Sequence, residues 1–392
     1  MCLYGLHRHF TLPGLKAAPP RGRVTFVQRQ SLQPIETRTN MPQIFFPICL
    51  TAWLLLAAST FAQSRIGTEV PVEVERISSN AVQWLAKNQN PEGDWPGGND
   101  SHNPEPGNCG VTGMAVMAFL STGVDPNFGE YGGNIRAALR HMISIQDPDT
   151  GYLPNSMYNH AFGMLALAEA YGVVDEEMLW GDPKITVATE RRRSLGKALH
   201  LAIRCAITSQ ENNPWRAWRY RPESKDADTS VTGAVLVGLL AARNAGIKVP
   251  DSNIDSAMQY IREVTGKRGD VSYTPGFSFS MGANMSAIAA LVYSIGKHQD
   301  WPEYNAVVQY VKANSEAVDF SHPHYNLYYV SQALFQTDYD AWNKWNQVTV
   351  RRLRREQNQD GSFDSSNGKP YATSMSVLAL ALNYRFLPIY ER

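Results

Sequence analysis

The feature that most constrains the fold of this chain is a motif that occurs six times. Each copy is an amphipathic segment of helical period that ends near a polar residue, usually glutamine, followed by a turn with glycine or aromatic residues. The first copy is WLAKNQNPEGDW (84–95), and the last is LRREQNQDGSF (353–363). The apolar anchors of the copies lie at positions 85, 142, 206, 261, 311 and 353. Repetition at this spacing indicates a fold in which one supersecondary unit is stacked on itself.

The copies keep the motif to different degrees. The glutamine is retained in the second, third and last copies as Gln146, Gln210 and Gln357. Thr265 and Ser315 stand in its place in the fourth and fifth copies. We expect the glutamine and the aromatic residue of each turn to join one hairpin to the next.

A second, more apolar segment follows each turn. These segments are dense in Gly, Ala, Ser and Thr, and they cover residues 109–123, 156–172, 228–246, 278–296, 324–336 and 371–384. A helix that is apolar most of the way round is a buried helix. Because a single hairpin cannot bury its own apolar face, stacked hairpins must supply the core. The sequence therefore predicts an all-α fold, an α6/α6 toroid or closed α/α barrel of six helical hairpins.

The N-terminal part of the chain reads as a targeting segment. Residues 44–62, IFFPICLTAWLLLAASTFA, form an apolar run that ends in small residues, as a secretory signal does. We expect cleavage after Ala62, which separates an N-terminal extension with its signal (1–62) from an exported toroid (63–392) in the periplasm or outside the cell. The alternative is an uncleaved membrane anchor, because the run is almost long enough to span a bilayer. Only that alternative implies contact with a membrane.

Charge and cysteine content exclude several classes of function. The chain has 36 Lys and Arg and 36 Asp and Glu, so its formal net charge is zero and nothing steers it to nucleic acid. Only Cys109 and Cys205 remain after residue 62, too few for a disulfide framework. The sequence has no Cys/His cluster at zinc spacing, no phosphate-binding glycine loop and no nucleophile elbow.

The repeat carries a family resemblance. The pattern W/F-L-x3-Q-x(2–5)-G-x-W, nearly complete in the first and last copies, resembles the repeat of the squalene cyclase and protein prenyltransferase β-subunit superfamily over residues 75–392. The resemblance implies a toroid whose cavity is lined by the N-terminal ends of the inner helices, where free N–H groups collect. It also implies an apolar, isoprenoid-type ligand. Squalene cyclases have two such barrels, and this chain has one.

The stretch DADTSVTG (226–233) opens the third inner helix. Class II terpene cyclases carry D-x-D-D-T-A at this place, and the resemblance implies a protonated middle aspartate that acts as the acid. Here Ala227 stands at the proton donor in one register, and Thr229 replaces the last aspartate in the other. The cyclase motif is therefore not intact. Asp226 and Asp228 remain candidate catalytic acids, and we expect Asp228 to cap the helix while Asp226 faces the cavity mouth.

Prenyltransferase β-subunits resemble the same region in a different way, with basic residues for a diphosphate followed by zinc ligands. The matching basic residues are Arg219, Arg221 and Lys225. The matching metal ligands are Asp226, Asp228 and either His322 or His324. Aspartate in place of the zinc thiolate removes the soft ligand, so the set predicts a harder divalent ion. No other cofactor is implied.

Aromatic and polar side chains at the same helix ends complete the candidate site. The candidate ligand-binding residues are Tyr158, Arg219, Arg221, Lys225, Asn284, Tyr325 and Tyr328. The tyrosines would shelter an apolar chain or a cation, or they would be core packing. His160, inside an inner helix, is either a catalytic base or a histidine whose hydrogen bonds are met within the core.

Three functions remain open. The first is a binding or enzymatic toroid with an apolar, isoprenoid-type small molecule in its cavity. The second is a carbohydrate-active, lyase-like toroid that uses Arg219, Arg221 and His160 on an acidic sugar. The third is a non-catalytic scaffold that docks other proteins. A closed aromatic cavity would favour the first function, an open charged groove the second, and a filled barrel with an apolar outer patch the third.

Overall fold

The computed structural model describes residues 70–97, 108–276, 283–316 and 322–390. Within these ranges the regular structure is helical, and the one β contact is an isolated bridge between Thr265 and Val271. The predicted signal lies outside the described residues, so the structure does not bear on it. The described residues belong to one compact unit within 68–392. The all-α prediction is confirmed.

Long helices alternate between an outer and an inner layer. The outer helices are α1 (Val72–Lys87), α3 (Gly132–Ile145), α6 (Leu195–Glu211), α8 (Asp251–Glu263), α10 (Pro302–Asn314) and α12 (Tyr339–Glu356). The inner helices are α2 (Cys109–Ser121), α4 (Met157–Ala170), α7 (Thr229–Asn244), α9 (Asn284–Ile295), α11 (Pro323–Thr337) and α13 (Lys369–Leu380). A short helix, α5 (Glu176–Trp180), lies between α4 and α6. α1 buries one stripe, whereas every residue of α2 is buried, as their compositions predicted.

The inner helices form a closed ring. Each inner helix packs against the next, and α13 returns to pack against α2. Small residues permit this close approach: a Cβ atom added to Gly113 in α2 would lie 2.6 Å from the carbonyl oxygen of Phe162 in α4. The ring and its flanking outer helices confirm the α6/α6 toroid of six hairpins.

The repeat glutamines connect consecutive hairpins. Gln357 Nε2 donates to the carbonyl oxygen of Gly361 in its own turn (3.0 Å) and to that of Ile77 in α1 (2.9 Å), which joins the last hairpin to the first. The same pair of bonds, to the own turn and to the next outer helix, is made by Gln89, Gln146 and Gln210. Thr265 instead donates to the carbonyl of Ile261 in its own helix (2.7 Å). The predicted role of the glutamines is confirmed.

The aromatic residues of the repeat pack within their own hairpins. Trp95, Trp218 and Phe363 are fully buried. Trp95 Nε1 donates to the carbonyl oxygen of Leu85 (3.0 Å), and Trp218 Nε1 donates to that of Ala206 (2.8 Å). Leu85 and Ala206 are apolar anchors of the motif, so the bonds explain why anchor and aromatic recur together in the sequence.

Candidate functional site

Asp228 stands at the N-terminus of α7, at the end of the barrel that we call the mouth. Its Oδ1 atom accepts hydrogen bonds from the Val231 backbone N–H (2.8 Å) and from the Ser230 hydroxyl (2.6 Å). The side chain is fully buried. These bonds cap the helix, so the predicted N-cap role of Asp228 is confirmed.

The second oxygen of the same carboxyl group is bound differently. Asp228 Oδ2 is buried, has no hydrogen-bond partner among the described residues and lies 3.5 Å from Nε of Arg219. The same guanidinium group lies 3.1 Å from Oδ2 of Asp226, whose side chain is 66% exposed. Burial raises the pKa of Asp228, although its hydrogen bonds and Arg219 oppose that rise. One guanidinium therefore links a buried carboxyl to an exposed one.

Two tyrosines hold Arg219 in place. The guanidinium carbon lies 5.5 Å from the ring centre of Tyr220 and 5.7 Å from that of Tyr273. The two hydroxyl groups are hydrogen-bonded to each other at 2.5 Å. Cation–π contacts of this kind restrain the charged group without removing it from solvent. The neighbouring Arg221 and Lys225 are exposed.

Aromatic rings meet across the barrel axis below the mouth. α4 and α11 are the second and fifth inner helices, so they face each other across the ring. The ring centres of Tyr158 and Tyr325 are 6.4 Å apart, and those of Phe162 and Tyr328 are 6.1 Å apart. Burial raises the pKa of the Tyr158, Tyr325 and Tyr328 hydroxyl groups well above the usual range of tyrosine, so these hydroxyl groups stay neutral. Aromatic pairs thus meet across the axis at two levels.

The end of the chain occupies the opposite end of the barrel. The C-terminal turn Pro388–Tyr390 packs against α7, and the Tyr390 hydroxyl is hydrogen-bonded to that of Tyr328. Gln336 Nε2 donates to the Tyr390 carbonyl oxygen (2.8 Å). Tyr390 is therefore a third ring on the axis, below the other two pairs.

The structure places His160 inside the core, away from the mouth. Its Nδ1 accepts a hydrogen bond from the Leu153 N–H (3.0 Å), and its Nε2 is 3.0 Å from the Ala202 carbonyl oxygen. Nε2 must therefore carry the proton, and the ring is neutral. Burial lowers the pKa of His160 to about 4. Both ring nitrogens are bonded to backbone groups, which is the arrangement of the structural alternative, and a catalytic role for His160 stays a prediction.

The residues expected to bind a metal are not brought together. His324 is buried, with Nδ1 3.1 Å from the Ser376 hydroxyl and Nε2 3.2 Å from the Asp364 carbonyl oxygen. His322 precedes α11 and is exposed. Across the described ranges no group of three or more His, Cys, Asp or Glu is arranged to hold a metal ion. Asp226 and Asp228 therefore have Arg219, not a histidine, as their partner.

Asn284 lies in the wall of the barrel rather than in an open pocket. It is buried at the start of α9, and its Oδ1 atom accepts a hydrogen bond from Asn326 Nδ2 (2.7 Å). Of the predicted ligand-binding residues, Tyr158 and Tyr325 lie together on the axis, whereas Arg219, Arg221 and Lys225 lie in the turn before α7. The predicted set is therefore divided between the axis, the wall and the outer turn.

A feature that the sequence analysis missed lies at the rim opposite the mouth. Phe128 is 82% exposed in the connection between α2 and α3. Its backbone N–H and that of Asn127 donate to Asp125 Oδ1, at 3.0 Å and 2.7 Å. Arg136 donates to the Asn127 carbonyl oxygen (2.8 Å), and Asn127 Nδ2 donates to that of Val173 (2.9 Å). The exposed ring therefore sits on a turn with little freedom.

Two further apolar side chains share this rim. Val173 is 50% exposed in the turn bonded to Asn127, and Phe386 is 57% exposed. The Phe386 ring covers Gly123, in the same connection as Phe128; a Cβ atom on that glycine would lie 2.5 Å from the ring. We call Phe128, Val173 and Phe386 the rim patch. None of these three residues lies at a position of the repeat motif, so the periodicity of the sequence could not reveal the rim patch.

Comparison with solved structures gives the same architecture. The GH76A α-1,6-mannanase of Salegentibacter sp. HEL1_6 matches with a TM-score of 0.56 at 9% identity, over 79% of this chain and 98% of that one. The type II terpene cyclase MstE from Scytonema matches with a TM-score of 0.50 at 16% identity, over 80% and 99%. A protein from Actinoplanes matches with a TM-score of 0.51 at 12% identity, over 79% and 98%.

The chain is an α/α toroid. At these identities the likeness shows the fold alone, and it supports the toroid that the repeat implied. No protein-family model matches the sequence, and no curated protein does. Among the helices of the described ranges, none combines the length and the apolar character needed to span a bilayer. The function of the toroid must therefore be argued from its surfaces and its interior.

Proposed function

We propose that this toroid is a non-catalytic scaffold that docks a protein partner on its rim patch. The observation that carries the proposal is Phe128, a large apolar ring that is 82% exposed on a hydrogen-bonded turn. An exposed aromatic ring contributes nothing to folding, yet four hydrogen bonds hold its turn. In a complex, such an anchor would lose little conformational freedom on binding, and interface hot spots are enriched in aromatic anchors.

The interior of the barrel supports the same proposal. Tyr158 and Tyr325 meet across the axis, Phe162 and Tyr328 meet below them, and Tyr390 follows. Ring contacts across the axis together with an apolar outer patch are the combination that favours a docking scaffold. The ring contacts themselves lend no support to the expectation of an isoprenoid-type ligand.

Site-specific photo-crosslinking in the native host tests the docking surface. A photoreactive phenylalanine analogue placed at Phe128 should give a cross-linked product with one protein. The matched control carries the analogue at Val348, which is 43% exposed on the outer helix α12. Val173→Asp should abolish the product at position 128. Equal cross-linking at both positions would contradict the proposal, and a product with the mass of two copies of this chain would show self-association instead.

A second candidate, a carbohydrate-active toroid, is favoured by one observation at the mouth. Asp228 Oδ2 is buried, finds no hydrogen-bond partner within the described part of the chain and belongs to a carboxyl with a raised pKa, while Asp226 is exposed. Two carboxyl groups in unlike environments are what glycoside hydrolysis requires. The mannanase with a similar fold has been observed with α-1,6-mannotriose.

This candidate is tested by product analysis. The chain would be incubated with α-1,6-linked manno-oligosaccharides and with uronate-containing oligosaccharides, and the products separated by mass. Cleavage that disappears in Asp228→Asn, a variant that keeps an oxygen for the helix cap, would support the candidate. Cleavage that survives in Asp228→Asn, or no cleavage of either substrate class, would remove it.

A further inference from the structure

A groove crosses the outside of the toroid where the third turn meets the fourth hairpin. Its volume is about 820 Å³, and α8 forms its floor between the turn at 214–216 and the segment at 298–301. A second depression of about 360 Å³ shares Trp215 and Glu263 with it, so the two depressions adjoin. No residue of the rim patch lines either one, whereas Ser272 of the second accepts a hydrogen bond from Thr229, the first residue of α7 at the mouth.

One face of α8 supplies a polar stripe along the floor. Asp255, Gln259 and Glu263 all line the groove, and they are spaced four residues apart. In an α-helix this spacing places side chains on one face in steps of about 6 Å. Carboxylates accept hydrogen bonds from hydroxyl groups, and the amide both donates and accepts. The stripe therefore presents hydroxyl-binding groups at a step close to the length of one sugar ring.

An indole ring stands over this stripe. Trp215 is 42% exposed. Its ring also packs against the buried ring of Tyr260 in a T-shaped pair, with ring centres 6.4 Å apart. Its turn is held by a hydrogen bond from the Trp215 N–H to Asn213 Oδ1 (2.9 Å). Arg216, the next residue, has a left-handed φ of 54°, a conformation that costs a non-glycine residue free energy. The turn thus holds a flat apolar surface beside a line of polar groups.

We infer that this groove binds a linear, neutral oligosaccharide. The apolar C–H face of a sugar ring stacks on an indole, and its hydroxyl groups bond to carboxylates and amides. Two carboxylates, Asp255 and Glu263, face one guanidinium, Arg216, among the lining residues, and this balance disfavours an acidic polymer. The adjoining second depression extends the surface available to a chain of several sugar units. The inference is independent of the docking proposal, because it concerns a different surface.

Affinity electrophoresis of the full chain tests the inference. Native gels would contain mannan, dextran or mixed-linkage β-glucan, three neutral polysaccharides, and titration calorimetry with matching hexasaccharides would give affinities. At least one polysaccharide should slow the chain, and Trp215→Ala or Glu263→Ala should weaken binding at least tenfold. The matched control is Tyr171→Ala, which removes a ring of similar exposure, 37%, outside the groove and should bind as the parent does.

Three outcomes would overturn the inference. The first is that none of the three polysaccharides slows the chain. The second is binding that Trp215→Ala leaves unchanged, since the sugar would then lie elsewhere. The third is Trp215-dependent binding of an oligolysine peptide without binding of a polysaccharide, which would make the groove a site for basic peptides. Melting curves of each variant confirm that a loss of binding is not a loss of fold.

Discussion

Glu169, near the end of α4, has an unusual environment for a carboxyl group. It is 7% exposed, and its Oε2 atom has no hydrogen-bond partner in the ranges that the structure describes. Burial raises its pKa from 4.5 to about 8, against a smaller opposing effect from a hydrogen bond with the backbone of Ile389. The packed end of the barrel opposite the mouth therefore favours the protonated form of the Glu169 carboxyl group.

The sign of the effect on stability follows from this shift. Because the pKa of Glu169 is higher in the folded chain than in the unfolded chain, the fold holds the proton at a pH where the unfolded chain has released it. The contribution of Glu169 to the free energy of unfolding is therefore greatest below the unfolded pKa and is lost as the pH rises through the folded pKa. One pKa unit corresponds to about 1.4 kcal/mol, so the shift is worth roughly 3–5 kcal/mol.

Glu169→Gln keeps the shape of the side chain and removes the titration. Denaturant unfolding at pH 5 to 9 should show the variant gaining stability relative to the parent by about 3–5 kcal/mol as the pH rises. Comparing variant with parent cancels the titration of buried histidines such as His160. Glu177→Gln, at an exposed glutamate of α5, is the control, and its curve of unfolding free energy against pH should run parallel to that of the parent. Parallel curves for Glu169→Gln as well would refute a buried, protonated carboxyl.

Three further expectations follow from the structure. Gln357→Ala removes the bond to Ile77 that joins the last hairpin to the first, together with the bond to Gly361 in its own turn, and should lower the free energy of unfolding by about 2–4 kcal/mol in denaturant melts, more than Thr265→Ala, which lacks such a link; equal losses would contradict the linking role. Asp228→Ala should cost about 0.5–2 kcal/mol of stability in thermal melts, and Asp226→Asn little; the reverse order would exchange their roles. N-terminal sequencing of native protein should begin at or near Gln63, and a mature form that retains Met1 would refute export with cleavage.

The sequence by itself determined the scaffold, because the scaffold is repetitive and local. Gln89, Gln146, Gln210 and Gln357 recur at one place in four of the hairpins and make the same pair of bonds, and Trp95 and Trp218 share a bond to the apolar anchor. A cap needs only an aspartate before a helix, so Asp228 was predictable from its neighbours. Buried inner helices followed from composition, since apolar residues all round a helix require partners on every side.

The tertiary structure decided what the residues on that scaffold do. Tyr158 and Tyr325 look like ligand-binding residues in the sequence, and only closure of the ring places them in contact across the axis. The two nitrogens of His160 contact the nearby Leu153 N–H and the Ala202 carbonyl oxygen of α6, and only the fold brings the second group to the ring. The exposure of Phe128 depends on turns that no repeat encodes. The physical reason is that the contacts of the repeat depend on spacing along the chain. Burial and pairing across the barrel depend instead on which segments come together when the ring of helices closes.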